Sequence, residues 1–270
     1  MIDAPPIDAH CHFWRLDRGD YGWLDGQGGP LAPIRRDFAP ADYPGAGGLI
    51  AVQAAPTLAE TEYLLALEDA RILGVVGWVD LADDGAADQL HRLAANPRLR
   101  AIRPMLQDIA DSDWLISAPQ ARALAALCDL GLCFDALVTA RHLPALARFA
   151  AANPGLRIVI DHAAKPQSPD DPEWLAGMAA LARLPGVHCK LSGLMTELSE
   201  PADIARVFAH LLEWFGPDRL IWGSDWPVVT LAAPFSAWQG LTDDLLAGLT
   251  PGARGAILGG NAARFYGVGP

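Results

Sequence analysis

The chain has 270 residues, 51% of them hydrophobic, with 20 Lys and Arg against 32 Asp and Glu and a formal net charge of −12. That balance argues against a nucleic-acid partner and against binding to anionic membranes, because both need basic patches; no run of about 18 apolar residues offers a membrane span. The length suits one α/β barrel or two small domains.

Residues 7–12 read as the first strand, led in by Ile2 and the intervening prolines. Within it lies Asp8-Ala9-His10-Cys11-His12. Side chains alternate along a strand, so His10 and His12 are expected on one side, where two imidazoles can hold a divalent metal or grip a substrate oxygen. Residues 13–48 form a long connection containing Trp14, Tyr21, Trp23, several glycines, Pro30 and Pro33. It is either a functional loop at the mouth of the fold or a surface loop pinned by aromatic packing. The second strand is expected at 49–53. Thr57-Leu58-Ala59-Glu60 reads as a capping box opening a helix through Leu73, stopped by Gly74. Strands follow at 75–80 and 99–105, with Asn96-Pro97 closing the helix between them. Ser117-Ala118-Pro119-Gln120 opens a helix that ends at Gly131. Further strands fall at 132–137, 156–161, 187–191 and 220–223. Asn153-Pro154-Gly155 ends the helix before the sixth strand, and Pro172 fits the first turn of the helix that ends near Leu184-Pro185-Gly186.

Eight short apolar runs alternating with helical segments imply a buried parallel sheet and a (β/α)8 TIM barrel, an α/β fold forming a single domain over residues 1–270. A doubly wound open sheet would want a Gly-rich loop after strand one; that place holds His10, His12 and Trp14 instead. None of the four cysteines, Cys11, Cys128, Cys133 and Cys189, forms a Cys-x-x-Cys pair. Cys133 and Cys189 lie in apolar runs and read as buried free thiols, which points to a reducing, cytoplasmic location. No charged n-region or apolar h-region precedes the first strand, so no secretory signal is expected.

Barrel active sites sit at the C-terminal ends of the strands. Here those ends read His10 and His12, Gln53, Asp80, Arg103, Asp135, His162, Lys190 with Ser192, and Asp225. Unpaired buried charges are costly, so these groups should pair with one another or with a ligand. Asp80 reads as a cap for the next helix. Of Asp161 and His162, one should face the lumen and the other pack outward, and His162 is the better functional choice because an imidazole works near neutral pH. Lys165 either reaches back to the mouth or is solvated. Trp226, directly after Asp225, is placed to wall the pocket.

The motifs His10-Cys11-His12-Phe13-Trp14, His162-Ala163-Ala164-Lys165-Pro166, Lys190-Leu191-Ser192-Gly193-Leu194, Ser224-Asp225-Trp226-Pro227 and Gly260-Asn261-Ala262-Ala263-Arg264-Phe265-Tyr266, in this order, resemble the amidohydrolase superfamily. Within it they are most similar to the branch of sugar- and dicarboxylate-lactonases, of the L-fuconolactonase and L-rhamnonolactonase type. Val76-Gly77-Trp78-Val79-Asp80-Leu81 and Phe134-Asp135 also resemble that branch. The resemblance covers essentially the whole chain. It implies a (β/α)8 barrel that opens a cyclic ester to a hydroxy acid, with Asp225 as general base for water.

Binuclear members carry a bridging lysine or glutamate on strand four or five and histidines on strands five and six. With Arg103 and Asp135 in the corresponding strands, a two-metal centre is not expected. The choice is between one divalent ion, such as zinc, held by His10, His12 and Asp225 with or without His162, and a metal-independent site. His10, His12, His162 and Arg103 are candidates for the carbonyl and its developing oxyanion. Gln53, Asp135, Lys165 and Lys190 suit sugar hydroxyls or the product carboxylate. Trp14 and Trp226 are candidates to stack on a sugar ring; Trp23 suits stacking and core packing equally. A dicarboxylate would want several arginines and only Arg103 is well placed, which favours a neutral sugar lactone over a pyrone or muconolactone dicarboxylate. The rival reading is a zinc-dependent decarboxylase of the same superfamily.

Overall fold

Eight parallel strands pair in chain order to form one sheet: β1 (Ile7–Cys11), β2 (Gly48–Val52), β3 (Ile72–Gly77), β4 (Leu99–Ile102), β5 (Cys133–Ala136), β6 (Ile158–Ile160), β7 (Val187–Leu191) and β8 (Leu220–Trp222). The structure is a computed structural model that describes residues 6–26 and 28–269; Ile2 lies outside the described residues. The sheet curls until its ends meet. The His12 amide donates to the Trp226 carbonyl at 2.7 Å and the Asp225 amide donates to the His10 carbonyl at 2.8 Å, which joins the segments leaving β1 and β8. The fold is the expected (β/α)8 barrel.

Alternation along each strand sorts side chains between two cores. Ile7, Ala9, Ile50, Val52, Val76, Ala101, Cys133, Val159 and Ile221 fill the barrel, with Phe265 and Tyr266 from the last helix (Asn261–Tyr266) packed in the same cluster. The opposite faces, including Leu49, Ala51, Val75, Phe134, Ile158, Cys189 and Leu220, pack against the outer helices. Cys133 and Cys189 are buried free thiols, as expected.

The helix opened by Thr57 is shorter than the sequence suggested. It spans Leu58–Ala66, and the Thr57 hydroxyl accepts the Glu60 amide at 3.0 Å. Leu73 and Gly74 belong to β3. Gly74 is no helix stop: a Cβ there would come within 2.8 Å of Arg100 Cγ, so glycine permits strand packing. The segment between β4 and β5 forms two helices, Trp114–Ser117 and Ala121–Asp129. Asp80 is exposed and accepts the Ala82 amide in a turn, whereas the next helix starts only at Ala86.

Two departures from regular backbone aim the site. In β1 four residues, Asp8 to Cys11, span what three residues, Leu49 to Ala51, span in β2. This bulge lets Ala9 and His10 both point inward. Gly223 makes room, since a Cβ there would lie 2.7 Å from His10 Cβ. After β6 the backbone turns left-handed at four successive non-glycine residues, His162, Ala163, Ala164 and Lys165 (φ 52°, 49°, 61° and 53°).

Candidate active site

Asp225 stands at the centre of the barrel mouth. It too is left-handed, with φ 58°, and its backbone is tied to β1 by the bond to the His10 carbonyl. A non-glycine residue in that region is strained and persists where the surroundings over-determine it, as they do at active sites. Three imidazoles surround its Oδ1. His12 Nε2 lies at 3.3 Å, His10 Nε2 at 3.8 Å and His162 Nε2 at 3.9 Å. Burial alone would raise the Asp225 carboxyl, but His162, His12 and His10 together hold it below the usual carboxylate range. Burial pushes His162 down to about 4, and it pushes His10, with the Lys190 ammonium beside it, well below the usual imidazole value. Both rings are therefore neutral near pH 7.

Beneath the mouth lies a layer of buried charge. Lys190 Nζ contacts Asp135 Oδ2 at 2.6 Å, Asp161 Oδ1 at 3.0 Å and His10 Nδ1 at 3.1 Å. Arg103 Nη1 lies 3.3 Å from Asp161 Oδ2 and 3.4 Å from His10 Nε2. The Tyr266 hydroxyl donates to Asp135 Oδ2 at 2.8 Å. Burial raises Asp135 to about 6 against the pull of Lys190. Burial also works to raise Asp161, yet Lys190, His10 and Arg103 hold it well below the ordinary range.

Several sequence expectations change here. Asp135 and Lys190 were candidates to bind substrate, but both are fully buried against each other and neither lines the pocket. Gln53 is also fully buried: Val52 takes the inward position, and the Gln53 side-chain Nε2 donates to the Arg103 carbonyl at 2.8 Å. Trp14 is sealed among Tyr21, Trp23 and Phe38, and Trp226 packs against Phe13, Phe38 and Tyr43, so neither indole lines the pocket. His10 lies at the pocket floor with no exposed surface. Asp161 and His162 both point inward, because the left-handed run cancels the alternation that should have separated them.

The pocket itself, about 200 Å³, is lined by His12, Arg103, His162, Lys165 and Asp225 together with Trp23, Ala54, Met105, Gln107, Asp108, Leu137 and Val228. This falls below the ~300–1,000 Å³ of drug-sized sites and suits one small molecule. Trp23, at 38% exposure, supplies the aromatic wall, with its indole N–H donated to the Ala54 carbonyl at 2.8 Å. Lys165 pairs with Glu197 at 3.4 Å at the rim. Asp8, Glu60, Gln107 and Asp108 were not among the sequence candidates, and Asp161 was passed over in favour of His162. Asp8 had a signal, being part of the same motif as His10. Glu60 had a misleading one: its carboxylate accepts the Ala54 and Ala55 amides, at 2.9 and 2.6 Å, rather than closing a capping box.

His10, His12 and Asp225 each offer one ligand atom, all within 4.8 Å of one another. The His12 Nδ1–H donates to the Val52 carbonyl at 2.8 Å, since a carbonyl only accepts. Its Nε2 lone pair then faces the Asp225 carboxylate at 3.3 Å. Two acceptors that close call for a positive charge between them, either a proton on His12 or a cation. One divalent ion on these donors therefore fits the chemistry of the site.

The amidohydrolase family model matches residues 7–268, and the chain belongs to that family. It is 45% identical to an L-fucono-1,5-lactonase of Burkholderia ambifaria, over 96% of this chain and 94% of the relative. It is 38% identical to an L-fucono-1,5-lactonase of Burkholderia multivorans, over 98% and 97%. A crystal structure of a Burkholderia multivorans amidohydrolase with bound zinc superimposes with a TM-score of 0.90 at 38% identity, covering 98% of this chain and all of the other.

Proposed function

We propose that this protein hydrolyses a sugar lactone, an L-fucono-1,5-lactone-like ring, to its hydroxy acid. The observation that carries the reading is the placement of one ionised carboxylate, Asp225, among three imidazoles at the base of a small pocket walled by Trp23. Near-full-length similarity to two L-fucono-1,5-lactonases supports it.

A cyclic ester needs a base for the attacking water and donors for the carbonyl oxygen as it gains charge. Asp225 takes the proton from water as the new C–O bond forms. Arg103 and His162 reach the pocket and donate to the carbonyl oxygen. As the ring C–O bond breaks, Asp225 returns the proton to the leaving alkoxide, so a neutral lactone and water give a hydroxy acid. Trp23 offers a flat apolar face to the ring, while Gln107, Asp108 and Lys165 meet its hydroxyls. When bound, a divalent ion held by His12 and Asp225, beside His10, would act as a Lewis acid on the carbonyl and acidify its water. With Arg103 and Lys165 as the cations among the pocket-lining residues, a neutral lactone is favoured over a dicarboxylate. The site works on a small solute, and no described helix is long and apolar enough to cross a membrane.

A panel of aldonolactones assayed with a pH indicator, with and without chelator, tests this. Acid release from a six-carbon deoxy-sugar lactone is the expected result. Silence across the panel, with carbon dioxide released from an aromatic acid, would replace it with the decarboxylase reading.

A further inference from the structure

His10 is gripped at both ring nitrogens by cations. Lys190 Nζ stands 3.1 Å from Nδ1 and Arg103 Nη1 3.4 Å from Nε2. A neutral imidazole has one lone pair and can accept from only one of them. Lys190 is the closer and better held. It touches two buried carboxylates, Asp135 and Asp161, which keep it an ammonium with hydrogens on every side. A proton on Nδ1 would set N–H against ammonium at 3.1 Å. The competing acceptor for such a proton, Asp161 Oδ1, is farther away, at 3.5 Å.

We propose that Lys190 is a positioning residue that fixes the tautomer of His10: by donating to Nδ1 it keeps the ring proton on Nε2, aimed at Asp225. In that form His10 presents N–H toward the Asp225 carboxylate, 3.8 Å away, and has no lone pair to offer an ion at the mouth. His12 and Asp225 can still share a cation, but with two firm ligands rather than three. Lys190 therefore sets the site against tight metal binding. Removing it hands Nδ1–H to Asp161 and moves the lone pair to Nε2, where an ion on His12 and Asp225 competes for it with Arg103, 3.4 Å away, and gains a third ligand. This deepens the lactonase reading of the same pocket, yet both readouts below work without a lactone, so the two ideas fail separately.

Long-range ¹H–¹⁵N correlation on histidine-labelled, zinc-free protein reads the tautomer directly, with the His10 signals assigned by their loss in His10→Gln. The pattern of protonated Nε2 and bare Nδ1 is expected. Protonated Nδ1 would overturn the proposal, whatever the variants do. Zinc affinity, measured by competition with a chromogenic chelator, should rise in Lys190→Met by about the 10–100-fold typical of groups that orient a ligand histidine. Affinity unchanged or reduced in a folded Lys190→Met protein would show that Lys190 does not oppose the ion. A merely structural role would lower metal affinity, never raise it. Should Lys190→Met fail to fold, the wild-type spectrum alone decides.

Discussion

Asp8 and Ser224 clasp each other across the seam between β1 and β8. Asp8 Oδ1 accepts the Ser224 amide at 2.8 Å while Oδ2 accepts the Ser224 hydroxyl. The same carboxylate accepts the His10 amide, freed from the ladder by the bulge, at 3.0 Å and the Tyr43 hydroxyl at 2.7 Å. One buried group thus anchors the backbones that carry His10 and Asp225.

Asp8→Asn keeps the shape but sets an amide N–H where an acceptor is needed. A loss of about 1–3 kcal/mol of stability is expected, the usual cost of an unsatisfied buried group. A fall in kcat with little change in KM should accompany it, because Asp225 is displaced while the pocket wall is not. Denaturant unfolding and steady-state kinetics measure the two effects; a rise in KM alone would contradict the assignment.

Asp225→Asn should cut lactone turnover by about 10²–10⁴-fold, the worth of a positioned base, with an unchanged circular dichroism spectrum. Since the wild-type carboxyl is held below its ordinary value, it stays ionised as the solution is acidified. The acid limb of kcat/KM should therefore lie below about pH 4, where an exposed Asp is already half protonated.

Trp23→Ala removes the aromatic wall without touching the base. KM should rise about tenfold or more while kcat changes only a few-fold, the pattern for uniform binding. Equal losses in kcat and kcat/KM would instead place the indole in transition-state contact.

Glu60 gives a pH signature. Burial raises its carboxyl to about 7, with the Ala54 and Ala55 amides partly opposing the shift. A carboxyl whose folded pKa exceeds its unfolded value binds more protons in the folded state between about pH 4.5 and 7. Its contribution to stability is full at the acid end of that window and lost as pH rises through it. Wild type should therefore gain on Glu60→Gln as pH falls from 7 to 4.5, by at most about 3 kcal/mol. Parallel melting curves at several pH values check this; a constant difference between the two proteins would refute it.

The strands were legible because a buried parallel strand is a short apolar run that ends in a polar group, and this chain repeats that pattern eight times. Residues at strand ends were legible too, as with Arg103, His162 and Asp225. What alternation could not foretell was where alternation breaks. The bulge beside His10 and the left-handed run from His162 to Lys165 are fixed by packing between distant strands. Depth was equally hidden: Asp135, Asp161 and Lys190 lie on three strands, and only their meeting inside the barrel shows that they neutralise one another rather than a ligand. Among the tryptophans, burial rather than position in the motif decides, so Trp23 lines the pocket and Trp14 does not.

His12 and Asp225 are 213 residues apart in the chain and meet only where the first and last strands join. Turnover is therefore a gauge of whether the ring of strands is shut. A molecule whose last strand has peeled away keeps most of its sheet and helices yet has no base beside its imidazoles. Under mild denaturant, or after a protease clips the segment bearing Asp225, catalysis should vanish while far-ultraviolet dichroism still reports an almost intact protein.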